Sequence, residues 1–344
     1  MFAVGKTQRE RTFRSAFQEG SGHPILFAMK PERSLLKDHS VAPHLALIAV
    51  QAMFGTWYIV GKVVLRTISS TGLVAFRVGG AAIAFILLQR GLGQLRLLPK
   101  RDLLSLTLCS TLGVTLNQLL FVKGLSLTTA IDATLITTTI PVFTLGVSIL
   151  IGYDRLSLRR GLGIITAAGG VIYLVDPLRA DFSAQTTLGN LLIVVNSLSY
   201  AVYIVLSKDL FKRYGALNVI TWIFLISSVV TVPIGIVGLR TDHLGSLGAG
   251  VWFRVAYIIL VPTVGAYYLN AWALTRVSPG VVATYIYLQP LIALGFAPIV
   301  LGEKPNSRTL VSCILIFAGV AVVTWRGRSE AVKEVSEHPD ALAH

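Results

Sequence analysis

Charged residues are scarce in this chain: they make up 13% of it, about half the share of a soluble globular domain. Cysteine is scarcer still. The two present, Cys109 and Cys313, sit inside apolar segments, so neither a disulfide framework nor a thiolate metal site is expected. Of the six histidines, His23, His39, His243, His338 and His344 fall in tails or loops and His44 opens the first apolar segment. None has the spacing of a metal ligand set. No GxxxxGK[ST] run is present to cradle nucleotide phosphates, which counts against a nucleotide-driven pump in this chain alone. No segment carries the repeated acidic pairs of a membrane prenyl transferase, and the expectation is of no enzyme, cofactor or metal. Acidic residues number 16 against 30 basic ones, a net charge of +14. The basic residues are dispersed over short loops instead of forming a stripe interleaved with aromatics, so a nucleic-acid partner is excluded.

What the chain has in excess is apolar length. Hydrophobic residues reach 54% and mean hydropathy is +0.72. A bilayer core of ~30 Å takes about 20 mostly apolar residues per helix. Ten segments qualify, near 43–64, 72–89, 103–123, 128–152, 160–175, 188–207, 217–238, 251–274, 281–301 and 308–325. The expected class is therefore an all-α membrane protein.

Within the apolar runs the same punctuation occurs twice, 149 positions apart: Pro141, Asp154 and Gly170, then Pro290, Glu303 and Gly319. Gly124 and Ala273 stand at matching places before the two prolines. An internal repeat of this length in an apolar chain points to a carrier of two duplicated halves with the substrate path between them. Five spans per half is an odd number, so the second half enters from the opposite side and the repeats are inverted. With the N-terminus inside, the cytoplasmic segments hold 21 Lys and Arg and the outer loops 8, and Arg77 inside the second span completes the 30. That bias places both termini in the cytoplasm. The organisation is a polar tail at 1–41, repeats at 42–178 and 179–327, and a second tail at 328–344. Neither tail has an apolar face, and Met29 would serve equally well as a start.

These residues carry a family resemblance. IPVFTLGVSILIGYDRLSLRRGLGIITAAGGVIYL and QPLIALGFAPIVLGEKPNSRTLVSCILIFAGVAVV resemble the Pro, acid, Gly-Val signature of the EamA-type drug/metabolite transporters. FGTWYIVGKVVL resembles their first-helix pattern, and SYAVYIVLSKDL answers it in the sixth. One departure is Asp154, where the family has Glu, at a helix end suited to a structural cap. The resemblance spans about 43–326. It implies ten helices in two five-helix units, a central cavity, alternating access, small metabolites as substrates, and outward movement across the inner membrane.

The residues supply the candidate site. Polar groups flank the two prolines, where a broken helix ladder exposes carbonyls: Thr137 and Thr138 before Pro141, and Tyr285 and Gln289, placed on one helix face by their spacing of four, before Pro290. Asn117, Tyr268 and Asn270 sit toward one end of their spans, Trp57 and Tyr203 add aromatic walls, and Tyr200 is a polar group near the midplane of the sixth helix. These ten are the expected substrate-binding set, with Pro141 and Pro290 as hinges. Gln51 and Asn196 divide evenly between cavity lining and interhelical hydrogen bonds, while Gly79 and Gly80 suit close packing. Asp132 could load a proton, against a structural role at a helix start. Lys62, Lys208 and Arg77 are placed as snorkelling cations. With no basic pair at the midplane, a neutral or zwitterionic solute, such as an amino acid, fits better than a sugar phosphate. The Gly-rich fifth and tenth spans suit tight helix packing or a homodimer contact. A receptor or scaffold without transport is the alternative, but it would need larger loops.

Overall fold

A computed structural model describes residues 41–92, 100–151, 158–175, 185–242, 244–277 and 279–324; both polar tails and Asp154 lie outside them. Ten helical segments follow one another, with no strand among the described residues: α1 (Val41–Val64), α2 (Ser70–Gly91), α3 (Leu103–Leu127), α4 (Ala130–Leu150), α5 (Leu158–Val175), α6 (Gln185–Tyr214), α7 (Ala216–Leu239), α8 (Ala249–Leu274), α9 (Pro279–Leu301) and α10 (Ser307–Thr324). Eight of them are long and apolar enough to cross a bilayer. The exceptions are α5 and α10, each of 18 residues, which reach ~27 Å at 1.5 Å per residue.

Local chemistry sets the helix ends. Ser69 caps α2 by accepting from the Gly72 amide at 3.2 Å, and Thr129 caps α4 by accepting from the Asp132 amide at 3.0 Å; each satisfies a donor the helix leaves free. Gly215, at φ 81°, turns the chain between α6 and α7, and Gly302, at φ 71°, ends α9. That left-handed region is open mainly to glycine.

Four helices are interrupted where the repeat predicts equivalence. Thr111–Thr115 in α3 and Leu260–Gly265 in α8 are single π-turns starting 149 positions apart. Pro141 and Pro290 stand at matching places in the first turn of a resumed α-helix, at Ile140 in α4 and Gln289 in α9. A proline cannot donate to the carbonyl four residues back, so the carbonyls of Thr137 and Ile286 lose that partner.

Equivalent helices run in opposite directions. Lys62 at the end of α1 donates to the Leu125 carbonyl at 2.9 Å and to that of Thr128 beyond α3. Glu303, past the end of α9, accepts from the Ala130 amide at 2.9 and 3.0 Å and from that of Ile131 at 3.3 Å, at the start of α4. Thr309 at the start of α10 donates to Asp132 at 3.2 Å, and Thr128 donates to Asn190 early in α6 at 2.5 Å. One face of the bundle thus gathers the ends of α1, α3 and α9 with the starts of α4, α6 and α10. On the other, the near face, Asp102 before α3 meets Arg213 and Tyr214 at the end of α6.

Glycine lets equivalent helices touch. A Cβ on Gly319 of α10 would lie 2.3 Å from the Ala167 amide nitrogen of α5, and one on Gly170 of α5 would lie 2.8 Å from Ile316 of α10. In the same way a Cβ on Gly235 of α7 would lie 2.1 Å from that of Ala75 in α2. Without a hydrophobic drive between helices in lipid, such close backbone approach is what holds a pair together. The small-residue face of α5 is therefore covered from within the chain, and Gly80 packs against Ile259.

Candidate functional site

A cavity opens at the centre of the bundle. It is lined from α1, α2, α3, α4, α6, α8 and α9. Of the ten expected binding residues it brings together Trp57, Asn117, Thr137, Tyr200, Asn270 and Gln289. Thr138, Tyr203, Tyr268 and Tyr285 stand outside it.

The reasons for these four placements are local. Thr138 turns its hydroxyl back to the Leu135 carbonyl at 2.5 Å, as a threonine at a broken helix does. Tyr203 leans on Gly113 in the α3 π-turn, where any Cβ would strike its ring at 2.4 Å, and reaches the cavity only through Tyr200, 5.5 Å away. Tyr268 packs against the apolar core one position beyond Tyr267. Tyr285 and Gln289 do not share a face, because Tyr285–Leu288 winds as a 3₁₀ turn with three residues per turn instead of 3.6. The Tyr285 hydroxyl instead lies 2.6 Å from His44 Nδ1 at the near face.

Two hydrogen-bonded clusters face the space. In the first, the Tyr58 hydroxyl lies 2.7 Å from Thr137 Oγ1 and donates to Gln289 Oε1 at 2.9 Å, while Gln289 Nε2 donates to Gln51 Oε1 at 2.5 Å. It joins α1, α4 and α9 and contains no charge. In the second, Gln118 Nε2 donates to the Tyr267 hydroxyl at 2.7 Å, which donates to Asn117 Oδ1 at 3.2 Å. Asn196 Nδ2 bonds the Asn117 carbonyl at 2.8 Å, and Asn270 Nδ2 bonds the Tyr200 hydroxyl at 3.3 Å.

Arg77 completes the second cluster and corrects the sequence expectation. It does not snorkel: it is 1% exposed and lines the cavity. Its Nε donates to Thr263 Oγ1 at 3.0 Å, Nη1 donates to Gln118 Oε1 at 2.6 Å, and its plane rests 3.8 Å from the centroid of the Trp57 ring. Thr263 belongs to the α8 π-turn and donates to the Ile258 carbonyl at 2.7 Å, which leaves its oxygen lone pairs turned to the guanidinium. Lys62 does not snorkel either; it caps the carbonyl end of α3.

The remaining expected residues fall around this centre. Pro141 and Pro290 are buried beside it, one residue from the lining Ile140 and Gln289. Asp132 is half-buried on the far face, outside the cavity, beside the capping Glu303. The sequence reading missed Phe54, Tyr58, Arg77, Gln118, Phe121 and Tyr267 as lining. The repeat offset could have found one of them, since Phe121 is the counterpart of the expected Asn270, whereas Gln118 and Tyr267 are counterparts that were both missed.

The comparisons with known proteins agree with this architecture. The model of the EamA-like transporter family matches residues 42–175 and 187–325, one match to each half. An uncharacterized transporter of Archaeoglobus fulgidus is 26% identical, over 82% of this chain and 96% of that protein. The uncharacterized transporter YetK of Bacillus subtilis is 23% identical over 86% and 90%. The WAT1-related protein At3g18200 of Arabidopsis thaliana is 24% identical over 86% of each. A protein crystal structure at 18% identity aligns with a TM-score of 0.56 over 82% of this chain and 96% of its own, a likeness of fold. With both halves matched and eight helices able to cross a bilayer, the chain is a multi-pass membrane protein that belongs to the EamA-like transporter family.

Proposed function

We propose that the protein is a secondary carrier that moves small zwitterionic or neutral metabolites, amino acids or related solutes, by alternating access. In this reading all ten helices cross the inner membrane, both termini are cytoplasmic, and movement is outward. The observation that carries it is the placement of the polar cavity on the seam between two oppositely directed halves. There, rocking one half against the other exchanges its exits without moving the site.

The far-face layer supports a gate in that cycle. Opening it separates Lys62 from the α3 carbonyls and Glu303 from the α4 amides, while the interruptions at Pro141 and Pro290 supply the hinges. Asp132 in this layer is the candidate for proton loading, since protonation removes the charge that accepts from Thr309. A carrier of this kind binds its solute through a few polar groups on an apolar wall, as Tyr58, Gln289 and the aromatic lining provide.

The test is uptake and efflux in liposomes holding the purified protein, against a metabolite panel with and without a proton gradient. Saturable flux of at least one small metabolite is expected, with Asp132→Asn losing any gradient dependence. Binding without flux for every bound solute would favour a receptor and overturn the reading.

A further inference from the structure

We propose that Arg77 is the anchor for a carboxylate, so that the solute of this cavity carries an organic acid group. The inference rests on the carrier reading for its site and goes beyond it in naming the recognised chemistry.

A guanidinium has five N–H donors, of which two are engaged, by Thr263 and Gln118. Three remain, two on Nη2 and one on Nη1. Those are the donors that form a fork against a carboxylate. The engaged partners are a hydroxyl and a neutral amide, and the Trp57 face contributes a quadrupole, not a countercharge. Among the described residues no carboxylate pairs with Arg77, and the lining contains neither Asp nor Glu. A cation taken this far out of water is stable only with a partner. The partner site is the cavity itself.

The surroundings hold the guanidinium ready. Trp57 fixes its plane from one side, and the α8 π-turn sets the Thr263 oxygen against Nε. Gln118, held in turn by Tyr267, fixes one edge. A group so constrained loses little freedom when it binds. The rest of the cavity accommodates a carbon body against Phe54, Phe121 and Tyr200, with the uncharged Tyr58, Gln289 and Gln51 cluster available to a second polar group. A zwitterion fits by its acid end. Wholly neutral solutes leave Arg77 unpaired.

The experiment uses matched pairs that differ only at the acid: leucine and leucinamide, 3-phenylpropionate and 3-phenylpropionamide, and succinate and succinamide. Each is assayed with purified full-length protein for thermal stabilisation and in liposomes for flux. At least one acid should bind while its amide binds roughly tenfold to a hundredfold more weakly, the range expected when a charge-assisted hydrogen-bond pair is lost. Arg77→Gln should abolish that discrimination, and Arg77→Lys should keep the preference for the acid at reduced affinity, since it keeps the charge without the fork. The wild-type pairs and Arg77→Lys decide the matter even where Arg77→Gln fails to fold. Equal binding of acid and amide throughout, absence of any acid-dependent stabilisation, or discrimination that survives in Arg77→Gln overturns the anchor. Acid binding that needs Arg77 but gives no flux upholds the anchor and sinks the carrier, whereas flux of amides alone does the reverse.

Discussion

The two halves of this molecule share a backbone plan and differ in the chemistry they present. Four lining positions recur at the repeat offset of 149: Gln118 with Tyr267, Phe121 with Asn270, Thr137 with Ile286, and Ile140 with Gln289. In three of them one half offers a hydrogen-bonding group and the other a purely apolar one. The Gln118 and Tyr267 side chains, bonded at 2.7 Å, tie equivalent positions directly together. Arg77 in α2 has no charged equivalent in α7, which carries no Lys, Arg, Asp or Glu between Ala216 and Leu239. An asymmetric small molecule on a pseudo-two-fold seam meets both halves at once, so duplicated walls must diverge to recognise it. Interruptions and contacts that serve motion or packing have no such pressure, and they match: the π-turns, the proline positions, and the facing glycines of α5 and α10.

The largest expected effect comes from breaking what the halves share. Gly170→Leu or Gly319→Leu should cost about 3 kcal/mol or more, at or above the upper end of what overpacking usually costs, because backbone of the partner helix occupies the space. Gly169 has nothing within 4 Å of a built Cβ, so Gly169→Ala should be neutral or stabilising by about 0.5 kcal/mol. Folded yield and thermal stability after purification check both. Near-normal yield for Gly319→Leu would mean that α5 and α10 are not held by this contact.

Next come the positions where the halves differ. Gln289→Leu makes the α9 wall resemble Ile140 and strips Gln51 of its donor. Solute affinity should fall about tenfold, with loss of stability near 1 kcal/mol. Ile140→Gln, the reverse change in the other half, should leave Gln289 and its partners intact and alter selectivity more than affinity. Equal effects of the two would show that the cavity reads its solute symmetrically.

Pro141→Ala and Pro290→Ala each offer a helix ladder the donor it lacks. The expected result is near-parental affinity with flux slowed several-fold, since a continuous helix resists the change between inward-open and outward-open forms. Both halves should respond alike, in contrast to the Gln289 and Ile140 pair. Loss of affinity with an unchanged rate would assign the prolines to shaping the site.

How much of this was legible in the sequence follows from what sets each feature. The helical class, the repeat and its inversion rest on apolar length and on Pro, acid and Gly at fixed offsets, all properties of the chain itself. The close packing of α5 and α10 was readable in GLGIITAAGG because glycine and alanine leave few other options. Lining was only half legible: whether a residue faces the cavity depends on helix rotation, and the 3₁₀ turn at Tyr285–Leu288 and the π-turns in α3 and α8 reset that rotation by a fraction of a turn. Tyr285 and Gln289 were separated for this reason, and Thr263 was brought to Arg77. Arg77 was misplaced because its distance from the helix start suggested the interface, while the polar partners that hold it inside lie 41 and 186 residues away in sequence.

The smallest effect is expected at the bundle's ends, which also differ. The far face is tied by a carboxylate on backbone amides, Glu303 on α4, and the near face by a carboxylate on side chains, Asp102 on Tyr214 and on Arg213 at 3.2 Å. The Tyr214 hydroxyl, aided by the Arg213 charge, holds the Asp102 carboxyl below the ordinary aspartate range. A depressed folded value means that its contribution is fully present above the unfolded pKa of about 4 and is lost as pH falls through the lower folded value. Asp102→Asn should therefore lower thermal stability slightly and by a constant amount from pH 7 to pH 5, with the gap to the parent closing only below about pH 4. Such a surface pair is worth little in any case. Glu303→Gln offers the sharper contrast: it keeps one amide acceptor but removes the charge from the start of α4, so it should weaken closure of the far face and alter transport rate more than stability. If Asp102→Asn changes transport as much as Glu303→Gln does, the two faces are gated alike and the distinction between them fails.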